Sequence, residues 1–312
     1  MINCKGVDGM HTILSLFPER LQHLLVESFT VSLVGVEEIR IRIGRPVQIE
    51  NNHGTADLDY VPSHNDRQHI AEKISQHSFY SLEEEMKKGY VTVEGGHRVG
   101  IAGKVTLEEG RVKAIQSISS FAIRIASEQI GCADPFMDEL WDPIARRWQH
   151  CLLIGPPKSG KTTLLRDFAR YISLHHPGSE DRSKKISIVD ERSEIAACHH
   201  GVPQLTFGTK IDVLDRCPKL EGMTMMIRSM SPEVMIVDEI GHERDIYAIM
   251  DAMYTGVSMI MTAHANSIEE LQKRSIMDKL LQSEIRHYIL CNQTGYTLFR
   301  NGKEIIVSER KR

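Results

Sequence analysis

The segment GPPKSGKT at residues 155–162 constrains this chain most, because it fits the pattern G-x-x-x-x-G-K-[ST] of a phosphate-binding loop. The apolar run before it, HCLLI at 150–154, predicts a buried strand, and residues 161–175 predict an amphipathic helix. Glycines let the backbone N–H groups of such a loop face phosphate oxygens, and the N-terminus of the helix adds positive potential. Strand, loop and helix in this order predict a nucleotide-binding site rather than a glycine-rich turn.

Two residues of this loop have expected chemical roles. Lys161 should bridge the β- and γ-phosphates of ATP, and Thr162 should ligate the Mg²⁺ ion that accompanies the nucleotide. The candidate nucleotide-binding residues are Gly155, Pro156, Pro157, Lys158, Ser159, Gly160, Lys161, Thr162 and Thr163.

A second apolar run, VMIV at 234–237, ends in two acidic residues. Asp238 and Glu239 should therefore emerge at the C-terminal edge of a strand, which is the edge where an α/β sheet binds its ligand. Asp238 is the expected partner of Mg²⁺ in its outer coordination shell, and Glu239 is placed to orient and deprotonate the attacking water. Without the phosphate-binding loop, two solvated acids at a strand end would be the better interpretation.

The segment IVDERSEIAA at 188–197 is a third strand end that carries charged residues. Glu191 could hold a Mg²⁺-bound water or assist Glu239, and Arg192 could hold the neighbouring acids in place. A loop that is stabilised only by salt bridges is the alternative interpretation.

The segment MTAHANS at 261–267 closes the next strand and contributes a histidine. A neutral His264 could hydrogen-bond the γ-phosphate or the catalytic water, and so report which nucleotide is bound. A lone histidine is more often structural, and the position alone supports the two interpretations equally.

At 312 residues the chain is long enough for two domains. Residues 1–131 mix predicted helices, one of them near 81–88, with β-like runs, and they predict a smaller α+β domain. In the run 37–49, isoleucines at 39, 41 and 43 alternate with arginines at 40 and 42, which predicts one half-buried strand. Residues 132–312 alternate apolar strands with helices, which predicts an α/β domain with a parallel sheet covered on both faces. Asn301-Gly302, between two β-like runs, predicts a C-terminal β-hairpin.

The composition limits the expected partners and location. A net charge of −4 gives no general attraction to nucleic acid or anionic lipid, and the sequence has no aromatic and basic tract that would stack bases. No apolar run approaches the roughly 18 residues that span a bilayer. Six scattered cysteines without a CxxC pair are typical of reduced thiols, so a cytoplasmic protein is predicted.

These elements, in this order, resemble the secretion-ATPase superfamily of ring-forming motors for type II and type IV secretion and pilus retraction. VDERSEI is similar to its acidic box, SPEVMIVDEIG to its Walker B segment and TAHANS to its histidine box. The resemblance implies a RecA-like P-loop NTPase fold and ATP hydrolysis. That group usually has glycine at the position of Asp238, so the surroundings of Mg²⁺ are expected to be closer to an ordinary Walker B arrangement.

The same resemblance implies that arginines of the N-terminal domain reach the nucleotide and complete the site. Arg98 in GGHRVGIAG and Arg124 in FAIRIA lie in the β-rich part of that domain, just before the predicted linker. Both are candidates for this catalytic role, in which a cation stabilises charge on the transferring phosphoryl group. Both could equally be solvated charges on strands.

A closer resemblance, to the stage III sporulation AA family of endospore-forming bacteria, covers nearly the whole chain. The similar segments are EEIRIRIGRPVQI, GGHRVGIAGKV, GPPKSGKTTLLRDFAR, IVDERSEIAA, TKIDVLDRCPK, MMIRSMSPEVMIVDEIG and TAHA. One departure is Lys158, where that family typically carries glycine. The Lys158 side chain must point away from the phosphates or add a charge to them.

This resemblance implies a mother-cell ATPase, a homo-hexamer that works with membrane proteins of the channel between mother cell and forespore. It would energise assembly of that channel or transport through it, while associated peripherally with the membrane complex. A RecA-like ATPase acting on nucleic acid is the alternative, although no nucleic-acid partner is expected. A small-molecule kinase is a weaker alternative, because a carboxylate that is ready to activate water suits hydrolysis.

Overall fold

The computed structural model describes most of the chain, in two compact units. The described residues are 12–32, 36–51, 54–75, 89–126, 128–174, 181–283 and 285–309. One unit comprises Met1–Ser127 with Ala197–His200, and the other comprises Glu128–Ala196 with Gly201–Arg312. A helix that the sequence predicts over residues 81–88 lies outside the described residues. Among the described residues, no helix is long and apolar enough to span a bilayer.

The described part of the first unit is built on a six-stranded antiparallel sheet with helices packed against it. Its strands are β1 (Val36–Arg42), β2 (Val47–Asn51), β3 (Gly54–Leu58), β4 (Tyr90–Val93), β5 (His97–Glu108) and β6 (Arg111–Arg124), in the sheet order β3-β2-β1-β6-β5-β4. Its helices are α1 (Glu19–Ser32) and α2 (His64–Ser75). Ile39 and Ile41 of β1 are fully buried in a core that also contains Leu21 of α1 and Ile70 of α2.

The prediction of one strand over residues 37–49 is wrong, because the chain turns in the middle of this run. Gly44 adopts a left-handed φ of +77°, and β1 and β2 pair as an antiparallel hairpin on either side of it. Within β1 the predicted alternation is confirmed, since Ile39 and Ile41 are buried and Arg40 between them is partly exposed. Alternation identifies the two faces of a strand, but it does not show where a turn interrupts the strand.

The second unit contains the predicted parallel sheet. Its strands are β9 (Cys151–Gly155), β10 (Ile186–Asp190), β11 (Ile211–Asp215), β12 (Val234–Val237), β13 (Ser258–His264), β14 (His287–Cys291), β15 (Gly295–Arg300) and β16 (Lys303–Glu309), in the order β11-β10-β12-β13-β9-β14-β15-β16. The strands β11, β10, β12, β13, β9 and β14 are parallel to one another. β15 and β16 extend the sheet in antiparallel fashion. A short ribbon of β7 (Trp141–Asp142) and β8 (Arg147–Trp148) precedes the sheet.

Helices cover both faces of this sheet, as the apolar strands predict. They are α3 (Met137–Leu140), α4 (Lys161–Ser173), α5 (Lys219–Met230), α6 (Glu243–Tyr254), α7 (Ile268–Gln272) and α8 (Ser275–Gln282). Phe168 of α4 is buried in one core layer, and Met223 of α5 and Ile249 of α6 are buried in the other. The predicted α/β fold class is confirmed.

The predicted C-terminal hairpin is also present. Arg300 of β15 pairs with Lys303 of β16, so Asn301 and Gly302 form a two-residue turn. Their φ values of +49° and +76° are both left-handed, which is the conformation that this kind of tight hairpin requires.

The order of the strands positions the candidate site. β13 lies between β9 and β12 and is parallel to both, so the C-terminal ends of these three strands meet at one edge of the sheet. The phosphate-binding loop follows β9, Asp238 follows β12, and His264 is the last residue of β13. Segments far apart in the sequence are thereby brought to one edge.

Candidate functional site

The phosphate-binding loop folds around the ammonium group of Lys161. This residue is the first of α4, and its side chain is buried, with 5% of the residue exposed. Its Nζ donates hydrogen bonds of 2.8 Å to the carbonyl oxygens of both Gly155 and Pro156. Burial lowers the pKa of Lys161 below its usual value, because the charged form loses hydration.

Two residues of the loop have left-handed backbone conformations. Gly160 immediately before α4 has a φ of +88°, which glycine adopts without steric penalty. Lys158 has a φ of +61° and an exposed side chain. A residue with a Cβ loses about 1–2 kcal/mol in this conformation. Glycine at this position would avoid the penalty.

A chain of polar contacts joins this loop to the ends of three neighbouring strands. Lys161 Nζ lies 3.2 Å from His264 Nδ1, and His264 Nε2 lies 2.9 Å from Glu239 Oε1. The second carboxylate oxygen of Glu239 forms an ion pair with Arg192, which follows β10. Because the ammonium of Lys161 can only donate, the geometry fits a neutral His264 that accepts at Nδ1 and donates from Nε2.

The local electrostatics keep Glu239 ionised. Burial opposes its ionisation, but the hydrogen bond from His264 and the charge of Arg192 hold the pKa of Glu239 below its usual value. The contact of Arg192 with an acid, which the sequence suggests, is present in the structure.

The backbone of Glu239 is held in an unusual conformation by β13. Glu239 has a left-handed φ of +46°, and its N–H donates a 2.7 Å hydrogen bond to Thr262 Oγ1. The next residue, Ile240, donates its N–H to the carbonyl oxygen of Thr262 at 2.8 Å. Thr262 is itself 1% exposed. Strained backbone of this kind persists only where surrounding contacts fix it, and here Thr262 provides two of them.

Asp238 is a buried carboxylate without compensating hydrogen bonds. It is 1% exposed, and neither of its carboxylate oxygens has a partner among the described residues. Burial, followed by the negative charge of Asp190, raises its pKa to about 7. Buried polar groups are nearly always paired, so two unpartnered oxygens here fit a cation or a cation-bound water. Thr162, half-buried in the first turn of α4, is the second residue with an oxygen suited to Mg²⁺.

Asp190, at the end of β10, organises the acidic segment that follows it. Its carboxylate accepts hydrogen bonds from the N–H groups of Glu194, Ile195 and Ala196 at 2.8 to 2.9 Å. Arg166 of α4 donates to the carbonyl oxygen of Glu194 from Nε at 3.0 Å and from a terminal nitrogen at 2.5 Å. The acidic segment is therefore fixed both to its own strand and to the helix of the phosphate-binding loop.

Glu191 is held by a residue that the sequence reasoning missed. Its carboxylate forms an ion pair with Lys219, the first residue of α5. Thr262 and Arg166 were missed as well. One signal could have pointed to Lys219. It directly follows Pro218 at the start of α5, a position where acidic residues are usual and a lysine is not. Thr262 carried no signal beyond its place two residues before His264.

Arg98 and Arg124 lie in the other unit, directly opposite each other on β5 and β6. The guanidinium carbon of Arg98 is 3.5 Å from the centre of the Tyr90 ring. Arg124 Nε lies 3.1 Å from a carboxylate oxygen of the buried Glu38. Their role at a nucleotide stays a prediction.

Comparison with known proteins identifies the family. The family model described as sporulation stage III, protein AA, matches residues 8–298. The chain belongs to this family. The stage III sporulation protein AA of Bacillus subtilis (strain 168) is 48% identical over 272 residues, which are 87% of each chain. The resemblance that the sequence motifs indicated is thus confirmed.

Solved structures of secretion ATPases share the fold of this sporulation family member. The ATPase DotB of Legionella pneumophila superposes with a TM-score of 0.58 at 15% identity, covering 91% of this chain and 81% of DotB. The pilus retraction motor PilT with bound ADP also gives 0.58, at 18% identity, with 89% and 83% covered. These likenesses confirm the RecA-like, secretion-ATPase type of fold.

Proposed function

We propose that this sporulation protein is an ATP-hydrolysing motor of the secretion-ATPase type. The observation that carries the proposal is the chain of contacts from Lys161 through His264 to Glu239. It connects a residue suited to bind phosphate with a residue suited to activate water, at the edge where α/β sheets bind ligands. The family membership and the fold shared with DotB and PilT support the same conclusion.

The loop residues bind the triphosphate in this proposal. Lys161 exchanges its contacts with the carbonyl groups of Gly155 and Pro156 for the β- and γ-phosphates of ATP. Thr162 would hold Mg²⁺ directly and Asp238 would hold it through its outer shell, and the ion would neutralise phosphate charge when bound. The unpartnered, buried carboxylate of Asp238 supports this assignment.

Glu239 orients the attacking water and accepts its proton as the water oxygen bonds to the γ-phosphorus and the bond to ADP breaks. His264 now bridges Lys161 and Glu239, and it would turn one of these contacts to the γ-phosphate or the water. In this way His264 would report which nucleotide is bound. Glu191 would hold a Mg²⁺-bound water or assist Glu239.

The cellular role that we propose follows the family. The chain would act in the mother cell as a homo-hexamer, peripherally associated with membrane proteins of the sporulation channel complex. ATP hydrolysis would energise assembly of the mother cell–forespore channel or transport through it. Arg98 and Arg124 would complete the nucleotide site from a neighbouring domain or subunit, as cations that stabilise the transferring phosphoryl group.

The assignment of the base is tested by comparing Glu239→Gln with Glu191→Gln. The Glu239 variant keeps size and hydrogen bonding, so it should bind ATP while its turnover falls by about 10²–10⁴-fold, the usual contribution of a general base. Glu304→Gln, an exposed acid on β16, is the matched control. If the Glu191 variant loses turnover while the Glu239 variant keeps it, Glu191 is the general base and Glu239 has the assisting role.

The proposed partners are tested by affinity purification of the tagged chain from sporulating cells. Membrane proteins in the eluate of the wild type, reduced in the Lys161→Ala variant, would support a motor on a membrane complex. Recovery of DNA or RNA without membrane proteins would contradict it and favour an ATPase acting on nucleic acid.

A further inference from the structure

Lys219 is a buried cation in a place that local energetics disfavour. Its residue is 6% exposed, although lysine is almost never fully buried without a partner. It also opens α5, where the helix dipole already presents positive charge. Both effects oppose an ammonium group here, so its surroundings must supply negative charge.

The fold brings Lys219 to the candidate site by close packing of α5 on β10. β11 pairs with β10 up to Asp190, and the chain then reaches α5 within a few residues. One turn into α5 lies Gly222, where an added Cβ would be 2.5 Å from a methyl group of Val189. Only glycine permits this approach, which sets the first turn of α5 against the end of β10. Glu191, the next residue after that strand, therefore meets Lys219.

The charge of Lys219 acts on several carboxylates of the site. Burial and the charge of Asp190 raise the pKa of Asp238, and Lys219 opposes them. Lys219 also adds to the charges that lower the pKa of Glu239. The two glutamates thus have separate cations, since Glu191 pairs with Lys219 and Glu239 pairs with Arg192.

We propose that Lys219 is a positioning residue, which holds Glu191 at the site so that Arg192 remains available to hold Glu239. This proposal rests on the proposed ATP hydrolysis and deepens it. Asp190 and Arg166 hold the later part of the acidic segment, residues 194–196. Glu191 and Arg192 are adjacent and precede that part, so releasing Glu191 would loosen the short stretch that presents both. The role differs from that of Glu239, because Lys219 acts through Glu191 and need not touch the nucleotide.

The test compares Lys219→Met with Lys219→Arg in the full chain. Methionine keeps much of the length but removes the charge, and the misplaced segment should lower kcat by about 10²-fold. The affinity for ATP should stay near the wild-type value, because the phosphate-binding loop is untouched. Arginine should restore part of kcat, since it returns the cation. Wild-type kcat in the Lys219→Met variant would overturn the proposal, as would equal losses of kcat in the two variants.

A thermal unfolding cycle tests the ion pair without requiring turnover. Glu191→Gln leaves a buried ammonium uncompensated, so Tm should fall by at least about 2–4 °C. Adding Lys219→Met should reverse the fall. The exposed pair of Lys113 and Glu108, 2.7 Å apart, is the matched control and should show little coupling. Additive effects of the two site substitutions would overturn the pairing. If the two substitutions are coupled in Tm but the wild-type chain does not hydrolyse ATP, the ion pair stands and the proposed function is contradicted.

Discussion

Two buried aspartates at the ends of paired strands show how neighbouring residues can have opposite environments. Asp190 accepts three backbone hydrogen bonds, whereas Asp238 has no partner for either oxygen among the described residues. Backbone N–H groups thus satisfy one carboxylate within the fold. The other carboxylate lacks such partners in the described part of the chain, which costs stability and supports its proposed role beside Mg²⁺.

The environment of Asp238 predicts that this residue makes stability depend on pH. Burial also raises the pKa of Asp190, although three backbone hydrogen bonds oppose that rise. Folding raises the pKa of Asp238 from 3.8 to about 7, so between these values the folded protein holds a proton that the unfolded chain has lost. The contribution of Asp238 to the free energy of unfolding must therefore fall as pH rises through this range, by up to about 4 kcal/mol. Urea unfolding at pH 5 and pH 8, without nucleotide and Mg²⁺, measures the fall.

Asp238→Asn should remove most of that fall, because asparagine does not titrate. The free energy of unfolding of the variant, relative to that of the wild type, should therefore be higher at pH 8 than at pH 5. Identical pH dependence of the two proteins would contradict the environment assigned to Asp238. Adding Mg²⁺ with a nucleotide should flatten the wild-type curve, since the cation replaces the proton.

At the scale of elements, the distance between α5 and β10 is set by one glycine. Gly222 lies where a Cβ would overlap Val189 and approach Cys217 Sγ at 3.2 Å. The helix can lie this close only without a side chain at that point. Its packing therefore fixes where the segment after β10 can be held.

Gly222→Ala should destabilise the protein, although alanine is the better helix former by about 1 kcal/mol. The overlap forces α5 away from β10, and overpacking of this kind destabilises by typically 1–3 kcal/mol. Thermal unfolding measures the net effect. Gly241→Ala is the matched control, because nothing lies within 4 Å of its added Cβ. A Gly222 variant as stable as this control would contradict the packing argument.

The elements that the sequence predicts well are those whose signals are local. Apolar runs that end in charge predict β10, β12 and β13 together with the polar residues at their ends. The pairing of Glu191 with Lys219 could not be predicted, because it depends on which strand β11 joins and how closely α5 packs. The contact of His264 with both Lys161 and Glu239 likewise needs the strand order β12-β13-β9.

At the scale of the whole molecule, the first unit carries a row of charges across its sheet. Glu38, Arg124 and Arg98 are cross-strand neighbours on β1, β6 and β5. Glu38 also accepts a hydrogen bond from Arg40 Nε at 2.6 Å. The buried carboxylate of Glu38 thus holds Arg124 of this row and Arg40 of its own strand, whereas Arg98 lies over the ring of Tyr90.

A ring that shares such arginines between copies predicts concentration-dependent hydrolysis. Turnover per chain should rise with protein concentration, because a neighbouring copy completes each site. Arg98→Ala and Arg124→Ala should lower turnover, by up to about 10³-fold, with much smaller changes in ATP affinity. Arg40→Ala is the matched control, since it removes a partner of the same Glu38. The shared site would be contradicted if turnover per chain does not depend on protein concentration and both arginine variants keep wild-type turnover.

The central claim, hydrolysis of ATP at the Lys161 loop, is tested most directly by phosphate release from Mg²⁺–ATP by the purified full chain. The wild type should release phosphate catalytically. Lys161→Ala should release none and should not bind ATP, because the main cation that faces the phosphates is lost, and thermal unfolding checks that the variant is folded. Phosphate release by the wild type that does not exceed that of a folded Lys161→Ala variant, or wild-type ATP affinity in this variant, would contradict the account.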